Sequence, residues 1–216
     1  MGTSTGGRDR RVRGRGAAAL PDGRSIDGID GAGKTTFATD LAAAVRERGV
    51  ASAVVSLDGF HAPAAVRHQG ADDADTWYLH AYDYDTFRRL VVEPFRTGGP
   101  VALDHRSRVD DAVIPDPPRF RPEDRSVLVV EGVFLHRKEL VGLWHTSAWL
   151  EVRMEVGLAR TAERDGSDPD PAAAINRRYF GAEERYLREF DPRRRANATF
   201  DLGDPASPRR IVADAC

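Results

Sequence analysis

The sequence predicts an α/β fold in three layers, α/β/α, around a central parallel sheet. Three observations predict it. Short apolar runs alternate with stretches of helical periodicity. A glycine-rich turn, Gly28 to Gly33, lies between the first strand candidate and the first helix candidate. Two further apolar runs stop abruptly at an acid, Asp58 and Glu131. The strand candidates are Ser25–Asp27, Ala53–Leu57, Val127–Val130 and Ala148–Val152. The helix candidates are Thr35–Arg48, Asp85–Phe95, Val156–Arg164 and Pro171–Phe190. In the first of these helices Phe37, Leu41, Ala44 and Val45 form one stripe, and Gly49 stops it. Residues 98–124 are rich in Pro, Asp and Arg and read as irregular structure, a length of loop that is usually functional.

The turn itself, Gly28-Ile29-Asp30-Gly31-Ala32-Gly33-Lys34-Thr35, fits G-x-x-x-x-G-K-[ST], the Walker A or P-loop pattern. The expected fold is therefore that of the P-loop NTPases. Glycines let consecutive N–H groups curl toward phosphate oxygens, and the start of a helix adds partial positive charge. Gly28, Asp30, Gly31, Ala32, Gly33, Lys34, Thr35 and Thr36 form the expected nucleotide cradle. Lys34 reaches the β- and γ-phosphates and the Thr35 hydroxyl ligates Mg²⁺. The chain has two lysines, Lys34 and Lys138, against thirty arginines. Lysine thus stands where a slim point charge is needed and a planar guanidinium would not fit in the same way.

Ligands of open α/β sheets lie beyond the carboxyl ends of the strands. The run Ala53–Leu57 ends at Asp58, followed by Gly59-Phe60-His61. A carboxylate there accepts a proton from an attacking hydroxyl or holds Mg²⁺ through water; a turn or cap aspartate is the plain alternative. The run Val127–Val130 ends at Glu131, in the place of a Walker B acid, where it binds the Mg²⁺ shell or orients a substrate. Its plain alternative is a buried glutamate paired with an arginine.

At 216 residues the chain can bury a proper core. Charged residues make up 31% but the net charge is −2, so no drive toward nucleic acid follows. The single cysteine, Cys216, excludes an intramolecular disulfide and a cysteine metal site. No apolar run approaches the roughly 20 residues that span a bilayer, and no apolar signal-peptide core precedes the fold. A cytoplasmic enzyme is the expectation. Residues 1–16 read as a disordered basic tail and 17–216 as one domain.

The motifs IDGIDGAGKTTFA, SLDGFH, AYDYDTF, LVVEGVFLH and the Arg-rich segment ending Glu163-Arg164-Asp165, in this order, resemble the uridine kinase family of P-loop kinases. The resemblance runs from about Ile26 to Asp201. It implies ATP (or GTP) and Mg²⁺ as cofactors and a helical lid bearing Arg160 and Arg164, which share one helix face and clamp the γ-phosphoryl group. It implies that Asp58 is the general base for a nucleoside 5′-hydroxyl and that Asp83 reads the ribose hydroxyls, with Asp85 as rival or as a helix cap. His61, Glu131, and His105 and Arg108 among the residues 104–108, are its further acceptor contacts. Asn176-Arg177-Arg178-Tyr179 matches another stretch that contacts substrate or lid. The implied partner is a small hydroxyl acceptor, a pyrimidine nucleoside first, with no nucleic acid or membrane and self-association left open. Gly59, His61, the Gly166–Pro171 segment and residues 98–124 depart from the family pattern, all on the acceptor side.

Overall fold

The computed structural model describes residues 22–71 and 73–212; the expected tail at 1–16 lies outside them. Five parallel strands build the sheet: β1 (Asp22–Gly28), β2 (Ala51–Ser56), β5 (Ser126–Gly132), β6 (Thr146–Glu151) and β7 (Ala198–Asp201). An antiparallel edge strand, β8 (Arg209–Ile211), completes it, in the order β2-β5-β1-β6-β7-β8. A separate two-stranded ladder joins β3 (Val101–Ala102) to β4 (Arg119–Phe120) within the region read as irregular.

All seven residues of β5 are buried, as a strand covered on both faces requires, and its run of Val and Leu is nearly unbroken. Register places Ser56 opposite Glu131 and Asp27 opposite Gly132. The carboxyl ends of β2, β5 and β1 therefore finish side by side, and three loops issue from one edge.

β1 is longer than the sequence suggests because it buries polar residues, Ser25 and Asp27 among them. Asp27 is fully buried; its Oδ2 accepts from the Tyr186 hydroxyl and from His136 Nδ1 at 2.7 Å. A pattern that expects apolar residues inside misses such a strand.

The helices are α1 (Lys34–Glu47), α2 (Ala64–Arg67), α3 (Ala74–His80), α4 (Tyr84–Phe87), α5 (Glu93–Thr97), α6 (Met154–Asp165), α7 (Ala174–Phe190) and α8 (Pro192–Arg195). They flank the sheet, giving the expected α/β fold. A π-helical turn, Arg88–Val92, joins α4 to α5. Pro94 has no N–H to give the carbonyl four residues back, and the widened turn directly before it fits that loss. The expected helix Pro171–Phe190 starts instead at Ala174. Asn176, buried, donates to the carbonyls of Asp168 and Asp170 at 2.7 Å each and holds the proline-rich segment as a turn. α2, α3, α8, β7 and β8, with the β3–β4 ladder, are additions to the expected elements. No described helix is long and apolar enough to cross a membrane.

Leu150, fully buried on β6 beside the P-loop strand, is expected to matter through packing alone. Leu150→Ala should cost about 2–5 kcal/mol in urea unfolding; a loss below about 1 kcal/mol would mean that this part of the sheet is not packed as described.

Candidate active site

A cleft of about 710 Å³ opens at the carboxyl edge of the sheet. It is lined by Asp30, Gly31, Gly33, Lys34, Thr35, Thr36, Asp58, His61, Arg108, Glu131, Arg160 and Arg164, all expected from the sequence. Trp77, Tyr82, Val133, Thr161, Asp165 and Tyr179 complete the lining. Gly28, Ala32, Asp83 and His105 are not among the residues that line it.

The loop after β1 takes its shape from glycine. Gly31 and Gly33 have φ of 72° and 86°, where other residues are strained. A Cβ on Gly31 would lie 2.1 Å from the Gly157 carbonyl, and one on Gly157 would lie 2.5 Å from the Asp30 carbonyl. Two glycines facing each other thus let α6 seat directly on the loop. α1 starts at Lys34 with Gly33 before it, so no side chain caps its first N–H groups. Those donors have no intrahelical partner and are available to an anion.

Lys34 Nζ donates to the Ile29 carbonyl at 2.8 Å and lies 3.6 Å from Asp30 Oδ1. Burial acts to lower its pKa. The fields of Asp30, Glu183, Glu131 and Asp58 outweigh that, so the ammonium is held above its ordinary value and stays charged. The Thr35 hydroxyl donates to Glu131 Oε1 at 3.2 Å. Glu131 is buried, and burial pushes its carboxyl upward against the opposing pull of Lys34. This pairing of hydroxyl and carboxylate suits a hard cation with oxygen ligands.

Asp58 sits in the short 3₁₀ turn Leu57–Phe60 that follows β2. Tyr82 donates its hydroxyl to Asp58 Oδ1 at 3.0 Å, and His61 Nε2 lies 4.0 Å from the same oxygen. Burial first, and then Asp58 and Asp30, drive the Tyr82 phenol well above its ordinary value, so it remains a donor. Tyr82 arrives there because Ala62 N–H bonds Ala81 and Asp83 N–H bonds Phe60, at 2.9 Å each, zipping the two segments together. The Asp58 turn is pinned from the other side too. Gly59 carbonyl accepts from the N–H groups of His105 and Arg106, and a Cβ on Gly59 would fall 2.3 Å from Asp104 Oδ1. Glycine at 59, a departure from the family pattern, is thus what lets the 104–106 segment pack there.

The remaining expected residues divide. Asp83 caps α4, its Oδ1 accepting from Thr86 N–H at 2.9 Å; the capping role considered for Asp85 belongs to Asp83. His105 stacks on Phe60 at 6.1 Å and 19°. Arg108 reaches the cleft. Arg160 donates to the carbonyls of Gly31, Leu202 and Gly203, tying α6 to the loop after β1 and to the loop after β7. Arg164 forms two 2.7 Å bonds to Asp165. That pairing, more than the fields of Asp30 and Asp58 beyond it, raises its pKa.

One half of the cleft has an aromatic wall. His61 stacks on Tyr82 with centroids 4.9 Å apart at 15°, and Trp77 meets Tyr179 edge-on at 4.7 Å. Tyr179 falls in a stretch the sequence singles out. Tyr82 falls in another, AYDYDTF, where the sequence points to the acids beside it rather than to the ring; Trp77 falls in none, since an aromatic residue in a short helix reads equally well as core, and both are in fact largely buried.

No protein-family model matches the chain. Solved structures do match. One described as a possible uridine kinase from Bacillus stearothermophilus is 23% identical, with a TM-score of 0.67 over 85% of this chain and 90% of that one. A candidate fructose transport system kinase from Silicibacter sp. TM1040 is 25% identical, with a TM-score of 0.62 over 83% and 89%. Phosphoribulokinase from Rhodobacter spheroides is 16% identical, with a TM-score of 0.58 over 84% and 70%. The fold is that of the P-loop kinases.

Two outcomes follow from this geometry. Gly157→Ala should weaken Mg·ATP binding, on the order of tenfold, because a methyl group there displaces the Asp30 carbonyl; unchanged affinity in a calorimetric titration would show that the contact is dispensable. Burial lowers the pKa of His61 despite the nearby Asp58. Its protonation is thus easier in the unfolded chain, and its contribution to stability is present above the ordinary value of about 6.5 and is lost as pH falls below it. An NMR titration should show this ring neutral at pH 7; a ring still charged there would contradict the assignment.

Proposed function

We propose that the protein is a kinase that transfers the γ-phosphoryl group of ATP (or GTP) to a hydroxyl of a small molecule. One observation carries the reading. The Lys34 ammonium, the Thr35–Glu131 pair and the Asp58–Tyr82 pair converge on one cleft beneath a helix bearing Arg160 and Arg164.

The residues present suit the groups this chemistry needs. Positive φ at Gly31 and Gly33 shapes the loop after β1, and the uncapped start of α1 offers its donors to phosphate. Thr35 and Glu131 would hold Mg²⁺, which neutralises charge on the β- and γ-phosphates. Lys34 exchanges the Ile29 carbonyl for phosphate oxygen. Asp58 receives the acceptor's hydroxyl, fixes its direction by hydrogen bonding and takes its proton as transfer proceeds. Tyr82 holds that carboxylate in place. Positioning counts for more than basicity, because a loose phosphoryl-transfer transition state needs little prior deprotonation. Arg164 swings from Asp165 toward the γ-phosphoryl group, while Arg160 braces α6 against the phosphate loop. Closure of the lid excludes water, the competing acceptor.

For the acceptor, a pyrimidine nucleoside such as uridine or cytidine is the first reading. It rests on the motif resemblance and on the aromatic wall of Trp77, Tyr179, His61 and Tyr82, against which a ring can pack. A second reading, the same transfer to pantothenate, a sugar or a nucleoside-like antibiotic, is favoured by Asp83. Its capping of α4 takes away the ribose reader that the resemblance implies.

ADP release from Mg·ATP should appear with one class of a panel containing nucleosides, pantothenate, ribulose 5-phosphate and simple sugars. Asp58→Asn should lower kcat for that acceptor by about 10²–10⁴ with the KM for ATP nearly unchanged. Equal kcat in this variant would rule out the role given to Asp58. Turnover stimulated only by a nucleic acid or a protein would point to a switch rather than a kinase.

A further inference from the structure

α7 lies behind the phosphate loop and touches it at two points one helical turn apart. Tyr186 donates its hydroxyl to Asp27 Oδ2, while Asp27 Oδ1 accepts from the Gly28 N–H at 2.9 Å. Three residues earlier, on the same face of the helix, Glu183 Oε1 accepts from the Asp30 N–H at 2.7 Å. Glu183 is 2% exposed, and its second oxygen is buried without a hydrogen-bond partner among the described residues. A buried carboxyl half satisfied is costly. Core packing would be served better by an apolar residue, so the single bond that Glu183 makes calls for a reason.

The reason lies in one peptide unit. The Asp30 N–H and the Ile29 C=O belong to the same plane, and in a trans peptide they point in opposite directions. With the N–H held by Glu183, the C=O is aimed the other way, where it accepts from Lys34 Nζ at 2.8 Å and from the Ala32 N–H at 3.2 Å. We propose that Glu183 is a positioning residue of the nucleotide site: by fixing the orientation of the Ile29–Asp30 peptide it sets where the Lys34 ammonium rests and keeps the first half of the loop open for phosphate. This rests on the reading of the cleft as a nucleotide site. The role asks for a hydrogen-bond acceptor and not for a negative charge. Burial in the first place, and Asp30 in the second, push the Glu183 carboxyl well above its ordinary value.

The test uses the full chain and two variants. Glu183→Gln keeps the acceptor oxygen without the charge. Glu183→Met keeps the volume and removes the acceptor, so it is expected to fold. Mg·ATP affinity is measured by titration calorimetry, thermal melting is recorded beside it, and KM for ATP is separated from kcat with an active acceptor. Glu183→Met should raise Kd and KM for ATP on the order of tenfold, with kcat at saturating ATP much less affected. Glu183→Gln should stay within about twofold of the parent protein. A Glu183→Met protein that binds Mg·ATP as tightly as the parent overturns the proposal, whatever its melting temperature. So does a Glu183→Gln protein as weak as Glu183→Met, since the acceptor is then not what matters. If the parent protein itself fails to bind Mg·ATP, the nucleotide-site reading falls, and this proposal falls with it.

Discussion

A buried ammonium must be neutralised, and this need organises the site. Burial acts to lower the pKa of Lys34; the fields of Asp30, Glu183, Glu131 and Asp58 together outweigh it and keep the group above its ordinary value. The four carboxyl groups come from four separate places: the loop after β1, α7, the end of β5 and the turn after β2. None is close to another in sequence. The parallel register that brings β2, β5 and β1 to a common edge is what makes the cage, and α7 closes it from behind. The same cage is an incomplete partner for a cation, since most of these groups also serve Thr35, Tyr82 or a backbone N–H. Phosphate oxygens would complete it.

Close approach at glycines is the second constraint. Gly31 lies against the Gly157 backbone and Gly59 against the Asp104 carboxylate, each closer than a methyl group allows as the side chains stand. The first brings α6, with Arg160 and Arg164, onto the phosphate loop; the second presses the 104–106 segment onto the Asp58 turn. α6 and the 104–106 segment are thus both fastened to the loops that follow β1 and β2 by contacts that glycine favours. Asn176 and Tyr179 extend the link along α7, from the proline-rich turn before it to the aromatic wall.

The phosphate loop, the strands before Asp58 and Glu131, and the helix with two arginines were legible because each leaves a local signature: spacing, an apolar run, or periodicity. β1 was legible only in part, since its buried Asp27 is paid for by Tyr186 and His136, residues more than a hundred positions away. Glu183 was not legible at all, and Tyr82 only as the neighbour of Asp83 in its motif. Their roles depend on which backbone N–H or carboxylate the fold sets opposite them. Asp83 shows the reverse case: a motif position suited to a ligand is turned, through one hydrogen bond to Thr86, into the cap of a short helix.

The most direct measurement exploits the scarcity of lysine. An acyl-phosphate derivative of ATP transfers its acyl group to an amine lying against the terminal phosphate, and the chain offers only Lys34, in the cleft, and Lys138, exposed on the surface. The account predicts that mass spectrometry finds the label on Lys34 and that excess Mg·ATP removes it. Label confined to Lys138, or label on Lys34 that Mg·ATP does not displace, would contradict the claim that this caged ammonium is the phosphate-binding centre.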